Sequence, residues 1–469
     1  MRSKQFHIMN FQTKINYKFT ALLLLLFGVA CQPAHEGARD QPNRPSEPKI
    51  ENQTVTRVSA ENTNAAEPAV ASDANKNVYV VYVEHGAEKS ADVYLQKFDA
   101  DGKPNGEKTL VNPEKGQAKA WYGDAPTIKI GKDNRIFVGW TAKAPGAEKP
   151  SASVLQLSVS SDGGKTFAAP VKVNDDVAPA SHGMHSLAIG ADGRIFMAWL
   201  DERNLKTEKT AFNQASENPL PDGFQIVKIH HNSNQNEKPK TDKKEMKDDE
   251  AEPNSEIFFA VSDDGGKTFS ANKKLSEEVC PCCKTSIAAA PDGKVYVSWR
   301  QVLDGKFRHI AVAASADNGA SFEKTIIVSD DRWEINACPV SGASMTAGAA
   351  GALKIVWYTA GAAGKPGLYY AESKDDGATF SPRALISPDT VTGTSTILNE
   401  TGEKSRIVFS DADNKIVFGS AENSANNFSV RQTIDDAQLP GAAFAGEKLF
   451  VAFVRAEKDK QSVWLYREN

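Results

Sequence analysis

The chain has 469 residues, of which 40% are hydrophobic and 25% are charged, and its formal net charge is −5. This balance is typical of a folded protein, and it gives no reason to expect the basic surface that nucleic-acid binding requires. The length exceeds what one ordinary core needs, but repeated all-β folds reach it because each repeat adds its own thin core layer. Gly, Asp, Asn and Ser recur between short β-branched and aromatic runs, which predicts many strands joined by tight turns.

Residues 1–30 have the features of a secretory signal. Lys14 and Lys18 precede the apolar run 21–30, which is too short to span a bilayer and ends at Cys31. Small residues followed by cysteine resemble the lipobox of bacterial lipoproteins, although Gly28 stands where that motif usually has leucine. The resemblance implies cleavage before Cys31, acylation of its sulfur and a lipid-anchored place in the cell envelope, with Gln32 permitting outer-membrane sorting. An ordinary signal followed by an unmodified cysteine is the alternative.

Two polar stretches flank or interrupt the rest of the chain. Residues 31–53 are rich in Pro, Glu and Asn, which predicts a flexible tether. Residues from about 204 to 253 are rich in Lys, Asp and Glu, which predicts a long solvated loop. A compartment outside the cytoplasm permits disulfides, and the four cysteines other than Cys31 all lie in the run 280–283 or at Cys338.

A unit of three recognisable strands recurs seven times between residue 54 and residue 469. Its second strand is the clearest, because it is a run of β-branched and aromatic residues. The seven copies of this strand are 78–82, 136–140, 195–199, 295–299, 354–358, 406–409 and 449–453. The seventh unit ends at its third strand, and we expect residues 53–58 to add an outer, fourth strand to it.

Four of the third strands end in the same turn, Ser-x-Asp-x-Gly-x-Ser/Thr-Phe. In this pattern the aspartate accepts backbone N–H groups and the glycine supplies a positive φ. The four aspartates are Asp162, Asp264, Asp317 and Asp375. The motif resembles the Asp box, or BNR repeat, of the sialidase superfamily. The resemblance implies an all-β propeller of radial four-stranded blades. We expect seven blades from the repeat count, and the six blades of sialidases are the alternative.

The repeats place the unusual side chains at one mouth of the propeller. In this fold, the chain that leads into each innermost strand lies at the same mouth as the chain that leaves each second strand. The residues that lead into or open innermost strands are Tyr122, His182, Met184, His185, Cys280, Cys282, Cys283 and Cys338. Those that leave second strands are Asp201, Arg203 and Arg300. We therefore expect sulfur and imidazole groups to converge there.

Three interpretations of the cluster stay open. Thiolate, thioether and imidazole together favour a soft metal, copper first and zinc second, held by the four cysteines with the two histidines and the methionine named above. Two structural disulfides are an alternative, although the adjacent pair Cys282 and Cys283 fits relaxed disulfide geometry poorly. A redox dithiol is the third interpretation.

The superfamily's activity, hydrolysis of terminal sialic acids, offers a catalytic alternative. It uses three arginines that clamp the substrate carboxylate, a tyrosine nucleophile and an aspartate acid/base. The candidates for these roles are Arg203, Arg300, Asp201 and Tyr122, but the family's Arg-Ile-Pro motif is absent from this sequence.

The sequence thus predicts a monomeric envelope lipoprotein, without a nucleic-acid partner, whose propeller carries a soft-metal or redox site at its mouth. If the protein is an enzyme, we expect a glycoside hydrolase of the sialidase type or a metal-dependent activity. A propeller that only binds a glycan or a protein is the remaining alternative.

Overall fold

The computed structural model describes residues 55–87, 90–119, 123–147, 149, 151–205, 254–335, 339–388, 390–400, 404–421 and 428–468. Within these ranges the chain is all-β and contains 29 strands. The predicted signal, the predicted tether, Cys31 and most of the predicted solvated loop lie outside them. In the part of the chain that is described, no helix combines the length and the apolarity needed to cross a bilayer.

The strands form antiparallel groups of four along the chain, numbered here as groups one to seven. The first strand, β1, spans Val55–Arg57. Group one contains β2 (Asn64–Ser72), β3 (Val78–His85), β4 (Ala91–Phe98) and β5 (Thr109–Leu110). Group two contains β6 (Thr127–Ile130), β7 (Ile136–Lys143), β8 (Ser153–Ser160) and β9 (Val171–Lys172). Group three contains β10 (His182–Ile189), β11 (Ile195–Asp201), β12 (Ser255–Ser262) and β13 (Lys273–Val279).

The remaining groups repeat this order. Group four contains β14 (Ser286–Ala289), β15 (Val295–Leu303), β16 (Phe307–Ser315) and β17 (Ile326–Ile327), and the short β18 (Trp333–Glu334) also pairs with β16. Group five contains β19 (Ser344–Ala347), β20 (Leu353–Thr359), β21 (Gly367–Ser373) and β22 (Ala384–Ser387). Group six contains β23 (Thr390–Asn399), β24 (Ser405–Asp411), β25 (Ile416–Ala421) and β26 (Ser429–Ile434). Group seven contains β27 (Gln438–Ala445), β28 (Lys448–Glu457) and β29 (Lys460–Arg467). Every predicted second strand is therefore observed, as β3, β7, β11, β15, β20, β24 and β28.

The fourth strand of group seven is β1, as the sequence predicts. It pairs antiparallel with β29, in a register that places Val55 opposite Tyr466 and Arg57 opposite Trp464. The Arg57 guanidinium also donates to the Glu457 carboxylate at 2.9 Å. Residues from the two ends of the described chain thus complete one sheet.

The first strands of the groups contact one another in chain order, from β2 through β6, β10, β14, β19 and β23 to β27, and β27 contacts β2 in turn. Groups three and four share a single sheet, because Val279 at the end of β13 pairs with Gln301 on β15. This bridge lies immediately before Cys280 and fixes the start of the cysteine run.

The core is formed by side chains packed between neighbouring groups. Buried tryptophans occupy matching positions on β7, β11, β15 and β20, where the sequence pattern repeats. Their indole N–H groups donate to polar side chains, for example Trp199 to Asp201 at 2.8 Å and Trp299 to Gln301 at 2.7 Å. Satisfying the N–H group lets the large ring be buried without leaving an unpaired donor.

The four Ser-x-Asp-x-Gly turns share one hydrogen-bond pattern. In the turn of group three, Ser262 Oγ accepts the Gly266 N–H group at 2.9 Å and donates to Asp264 at 2.8 Å. The Asp264 carboxylate also accepts the Thr268 N–H and hydroxyl groups, at 3.0 and 2.6 Å. The turns that contain Asp162, Asp317 and Asp375 repeat these contacts. The repeated sequence thus encodes a repeated local structure.

Candidate cysteine site at the start of group four

The cysteine run 280–283 connects β13 to β14 and is held by hydrogen bonds at both ends. The Cys280 N–H group donates to the Arg300 carbonyl at 2.9 Å. At the other end, the N–H group and the hydroxyl of Thr285 donate to the Met184 carbonyl at 2.9 and 3.0 Å. The run is therefore fixed to β15 on one side and to the start of group three on the other.

Three sulfur atoms converge in this loop. Cys280 Sγ lies 3.6 Å from Cys283 Sγ and 3.8 Å from Cys282 Sγ, and all three sulfurs lie within 4.8 Å of one another. All three side chains are at most 2% exposed. Cys280 and Cys283 are free thiols, whereas Cys282 is disulfide-bonded. Cys338, predicted to face this run, lies outside the described residues.

A buried arginine lies beside the sulfurs. Arg300 donates through Nε and Nη2 to the Ser341 carbonyl, at 3.1 and 2.7 Å, and through Nη2 to the Tyr358 carbonyl at 2.9 Å. Its guanidinium carbon lies 4.9 Å from the centre of the Trp333 ring. The side chain is fully buried, yet Nη1 has no hydrogen-bond partner among the described residues. A buried cation with a spare donor creates a local preference for negative charge.

This environment shifts the pKa values of the two free thiols in opposite directions. Burial acts to raise the pKa of the Cys283 thiol, but the hydrogen bond from Cys280, the Arg300 guanidinium and the Ser341 N–H group outweigh it and lower the pKa to about 6. The pKa of Cys280 is raised, because its proton is held by the hydrogen bond to Cys283 and because it is buried. Cys283 is consequently the more acidic thiol of the pair.

Met184 connects this loop to group three. It has a positive φ of 52°, at the bulge where the pairing of β10 with β11 shifts. Its N–H group donates to Asp124 at 2.7 Å, and its side chain packs in the same apolar cluster as Cys280, Cys282 and Cys283. Met184 thus contacts this part of the chain as an apolar side chain.

His185, the next predicted site residue, faces a different set of groups. Its Nδ1 lies 3.3 Å from Asp124 Oδ1, and the ring is fully buried. Burial acts to raise the pKa of Asp124, but His185, Lys284 and the Thr141 hydroxyl lower it to about 2. Lys284 donates to the Ala125 carbonyl at 2.5 Å, and its burial lowers its pKa to about 8. Sequence reasoning missed Lys284, although it directly follows the cysteine run.

His182, Asp201 and Arg203 form a separate ionic network. His182 Nε2 lies 3.1 Å from Asp176 Oδ1 and 3.4 Å from Asp201 Oδ2. Arg203 donates to Asp201 at 2.8 Å and to Asp175 at 2.5 Å. The charge of Arg203 is therefore paired within this network. Tyr122, the fourth candidate for a catalytic role, lies outside the described residues.

No protein-family model matches this chain, and no curated protein matches it either. Solved structures do share its fold. The polysaccharide lyase Uly1 is 12% identical, with a TM-score of 0.51, and the match covers 90% of this chain and 94% of the lyase. An ulvan lyase of the PL25 family is 11% identical, with a TM-score of 0.51 and coverage of 86% and 93%.

Sialidases are also among the structural neighbours. A variant of the NanB sialidase of Streptococcus pneumoniae is 11% identical, with a TM-score of 0.45, and the match covers 88% of this chain and 94% of the sialidase. At such identities the likeness concerns the fold alone. The chain is an all-β protein, and its structural neighbours include polysaccharide lyases and sialidases.

Proposed function

We propose that the protein is a lipid-anchored β-propeller of the cell envelope whose buried cysteine cluster performs thiol–disulfide exchange. The observation that carries the proposal is the pair of buried free thiols, Cys280 and Cys283, beside the disulfide-bonded Cys282. Thiols at this distance from a disulfide need little movement to attack it. The cluster thus combines an oxidised bond and two reducing groups in one loop.

Seven blades are the count that the strand groups support. Seven groups follow one another, their first strands contact in cyclic order, and β1 supplies the fourth strand of the last group. In a propeller this order arises when each group is one radial blade around a channel. The four Ser-x-Asp turns fit the Asp boxes of such blades.

The exchange needs no external oxidant or reductant, because one disulfide is broken for each disulfide that forms. The Cys283 thiolate accepts the proton of Cys280, which already donates to it, and Cys280 Sγ attacks Cys282 Sγ. A Cys280–Cys282 bond forms and the former partner sulfur of Cys282 leaves as a thiolate, which takes the proton from Cys283. Cys283 Sγ then attacks Cys280 Sγ, which forms a Cys280–Cys283 bond and releases Cys282 as a thiolate. A small external dithiol that reduces the Cys282 disulfide would itself become a disulfide.

Mapping of disulfides by mass spectrometry tests the exchange. The full chain is equilibrated in dithiothreitol buffers of graded potential, acid-quenched and alkylated. We expect a Cys280–Cys283 bond to accumulate in part of this range. Cys283→Ser should stop the reaction at the Cys280–Cys282 bond, whereas Cys280→Ser should retain the original bond. If the wild-type protein never contains a disulfide at Cys280, the proposal is wrong.

The envelope location rests on the signal and on Cys31, and the disulfide at Cys282 supports it because such bonds persist outside the cytoplasm. Labelling with a radioactive fatty acid tests the anchor. We expect the wild-type protein to carry label and to sediment with membranes, and Cys31→Ser to lose both properties. A wild-type protein that is unlabelled and stays in the soluble fraction would contradict the anchor.

A glycan-directed role is the second candidate, and the fold likeness to two polysaccharide lyases supports it. The engagement of Arg203 by carboxylates and of Arg300 by carbonyls argues against a sialidase-type clamp. Turnover of a fluorogenic sialoside or of ulvan distinguishes these cases. Activity that Arg203→Ala abolishes would favour this candidate, and binding without turnover would indicate a non-catalytic propeller.

A further inference from the structure

We propose that, once the disulfide at Cys282 is opened, Cys280, Cys282 and Cys283 bind one Cu(I) ion as a three-sulfur site. This inference rests on the proposed function, because it requires a reducible bond at Cys282. It assigns the reduced cluster a ligand of stated chemistry, a soft monovalent metal ion. Opening or closing the disulfide would then control whether the metal is held.

The sulfur positions fit such an ion with little rearrangement. A metal bonded to three thiolates at about 2.3 Å, in a plane, separates the sulfurs by about 4 Å. Two of the three sulfur–sulfur distances are 3.6 and 3.8 Å, and the third is at most 4.8 Å. The loop is also held at Cys280 and Thr285 by backbone hydrogen bonds, so the reduced sulfurs should stay close together.

The ligand set favours copper over zinc. Thiolates are soft ligands that select Cu(I) and Zn(II), but structural zinc takes four ligands in a tetrahedron. Among the described residues, the group of His, Cys, Asp and Glu side chains close enough to share an ion here consists of the three cysteines alone. The side chains that pack against them include the apolar Met184 and Trp299. A dry site of three sulfurs suits a monovalent soft ion better than a divalent one.

The charge of the surroundings supports a negatively charged cluster. Three thiolates and one Cu(I) ion have a net charge of −2. Arg300 is fully buried, its partners are carbonyl oxygens, and its Nη1 has no acceptor in the described part of the chain. Its charge acts on both Cys280 and Cys283, and that of Arg308 acts on Cys280. A metal–thiolate cluster would add to the negative charge that Cys283 already places beside this buried cation.

Copper titration of the full chain tests the inference. The protein is reduced anaerobically with a phosphine, the phosphine is removed, and Cu(I) is offered in competition with bicinchoninate. We expect one Cu(I) per chain, with near-ultraviolet sulfur-to-copper absorption. Cys282→Ser and Cys283→Ser should weaken binding by at least about 100-fold, because each removes one of three metal–sulfur bonds. Unreduced wild-type protein is the matched control, and we expect it to bind at least about 10-fold more weakly.

The outcomes separate the two proposals. A thiol count that rises by two on reduction shows that the disulfide opens. If the count rises and the reduced protein takes up no Cu(I), or prefers Zn(II), the copper inference is wrong while the exchange proposal stands. If the count does not rise under any reducing condition that leaves the protein folded, the exchange proposal fails as well. Because the comparison uses the wild-type chain in two oxidation states, it does not depend on whether a variant folds.

Discussion

Two arginines at the same end of neighbouring strand groups have opposite surroundings. Arg203 lies among Asp175, Asp176 and Asp201, so its charge is paired with carboxylates. Arg300 lies among carbonyl oxygens, an aromatic ring and thiol sulfurs, and one of its nitrogens has no hydrogen-bond partner among the described residues. The first arrangement is complete as it stands. The second holds a cation that still favours an anion, and we infer that this difference separates a structural cluster from a functional one.

The same contrast explains why Asp201 and Arg203, which the sequence offered for catalysis, are poorly placed to bind a substrate. Asp201 contacts both Arg203 and His182. A guanidinium whose charge is already paired with carboxylates attracts a substrate carboxylate only weakly. Unpaired buried groups are costly, so a protein that retains one usually uses it. Substitution of Asp201 in one cluster and of Arg300 in the other tests this contrast.

Asp201→Asn should have the largest effect on stability. The amide retains an acceptor for Trp199 but leaves Arg203 and His182 with less negative charge in a buried network. We expect the free energy of unfolding to fall by about 4 kcal/mol, as for other broken buried ion pairs. Urea unfolding followed by tryptophan fluorescence measures it. Thiol exchange at Cys280 should be unchanged in the folded variant, and a large change there would show that the two clusters are not separate.

Arg300→Met should have a smaller effect, about 3 kcal/mol. The carbonyls of Ser341 and Tyr358 lose charged donors, worth roughly 1.5 to 3 kcal/mol each, but Cys283 can take up a proton once the neighbouring charge is removed, which limits the loss. The same urea unfolding measures the change. Arg300→Lys is the control, since it keeps the charge and loses the planar fork. A loss as large as that of Asp201→Asn would mean that the Cys283 thiolate and Arg300 form an ion pair as strong as that of Asp201 and Arg203.

Asp124 should make stability depend on pH in the acid range. Its folded-state pKa of about 2 lies below the ordinary value of 3.8, so its carboxylate stabilises the folded protein. The contribution, about 2 kcal/mol, is complete above the ordinary pKa and is lost as the pH falls towards 2. Urea midpoints between pH 5 and pH 2 measure it. In Asp124→Asn this part of the slope should vanish, and an unchanged slope would assign it to other carboxylates.

Ser262→Ala should have the smallest effect, about 1 kcal/mol, because one buried hydroxyl loses its hydrogen bonds with Gly266 and Asp264. Ser160, Ser315 and Ser373 make the same contacts, so the four alanine variants should have similar melting temperatures. Unequal losses would show that the turns differ energetically despite their common geometry. None of the four should alter thiol exchange.

Repetition made most of the fold predictable. The second strands, the Ser-x-Asp turns and the pairing of β1 with the last group follow from patterns that recur with a fixed spacing, and each copy checks the others. The position of Cys280, Cys282 and Cys283 before the first strand of group four could be predicted in the same way. The seven-blade count stays a prediction that the strand groups favour.

The chemistry of the site could not be predicted to the same extent. Whether Cys282 is oxidised depends on which sulfurs approach one another, and a spacing of two residues does not determine that. The roles of Arg300 and Lys284 depend on burial, because the same residues would be ordinary surface cations on an exposed strand. Met184 and His185 are neighbours in sequence, but the bulge at β10 directs one to the sulfurs and the other to Asp124.

The pairing of β1 with β29 has a consequence for how the protein reaches its folded state. Arg57 and Glu457, which form an ion pair there, are 400 residues apart in sequence. Closing so long a loop is entropically costly and tends to be slow, so the last sheet should be completed late in folding. The predicted tether leads directly into β1. If the proposed anchor at Cys31 attaches the protein to a membrane, a load on this segment would act along the β1–β29 ladder, and the hydrogen bonds of that ladder would share it.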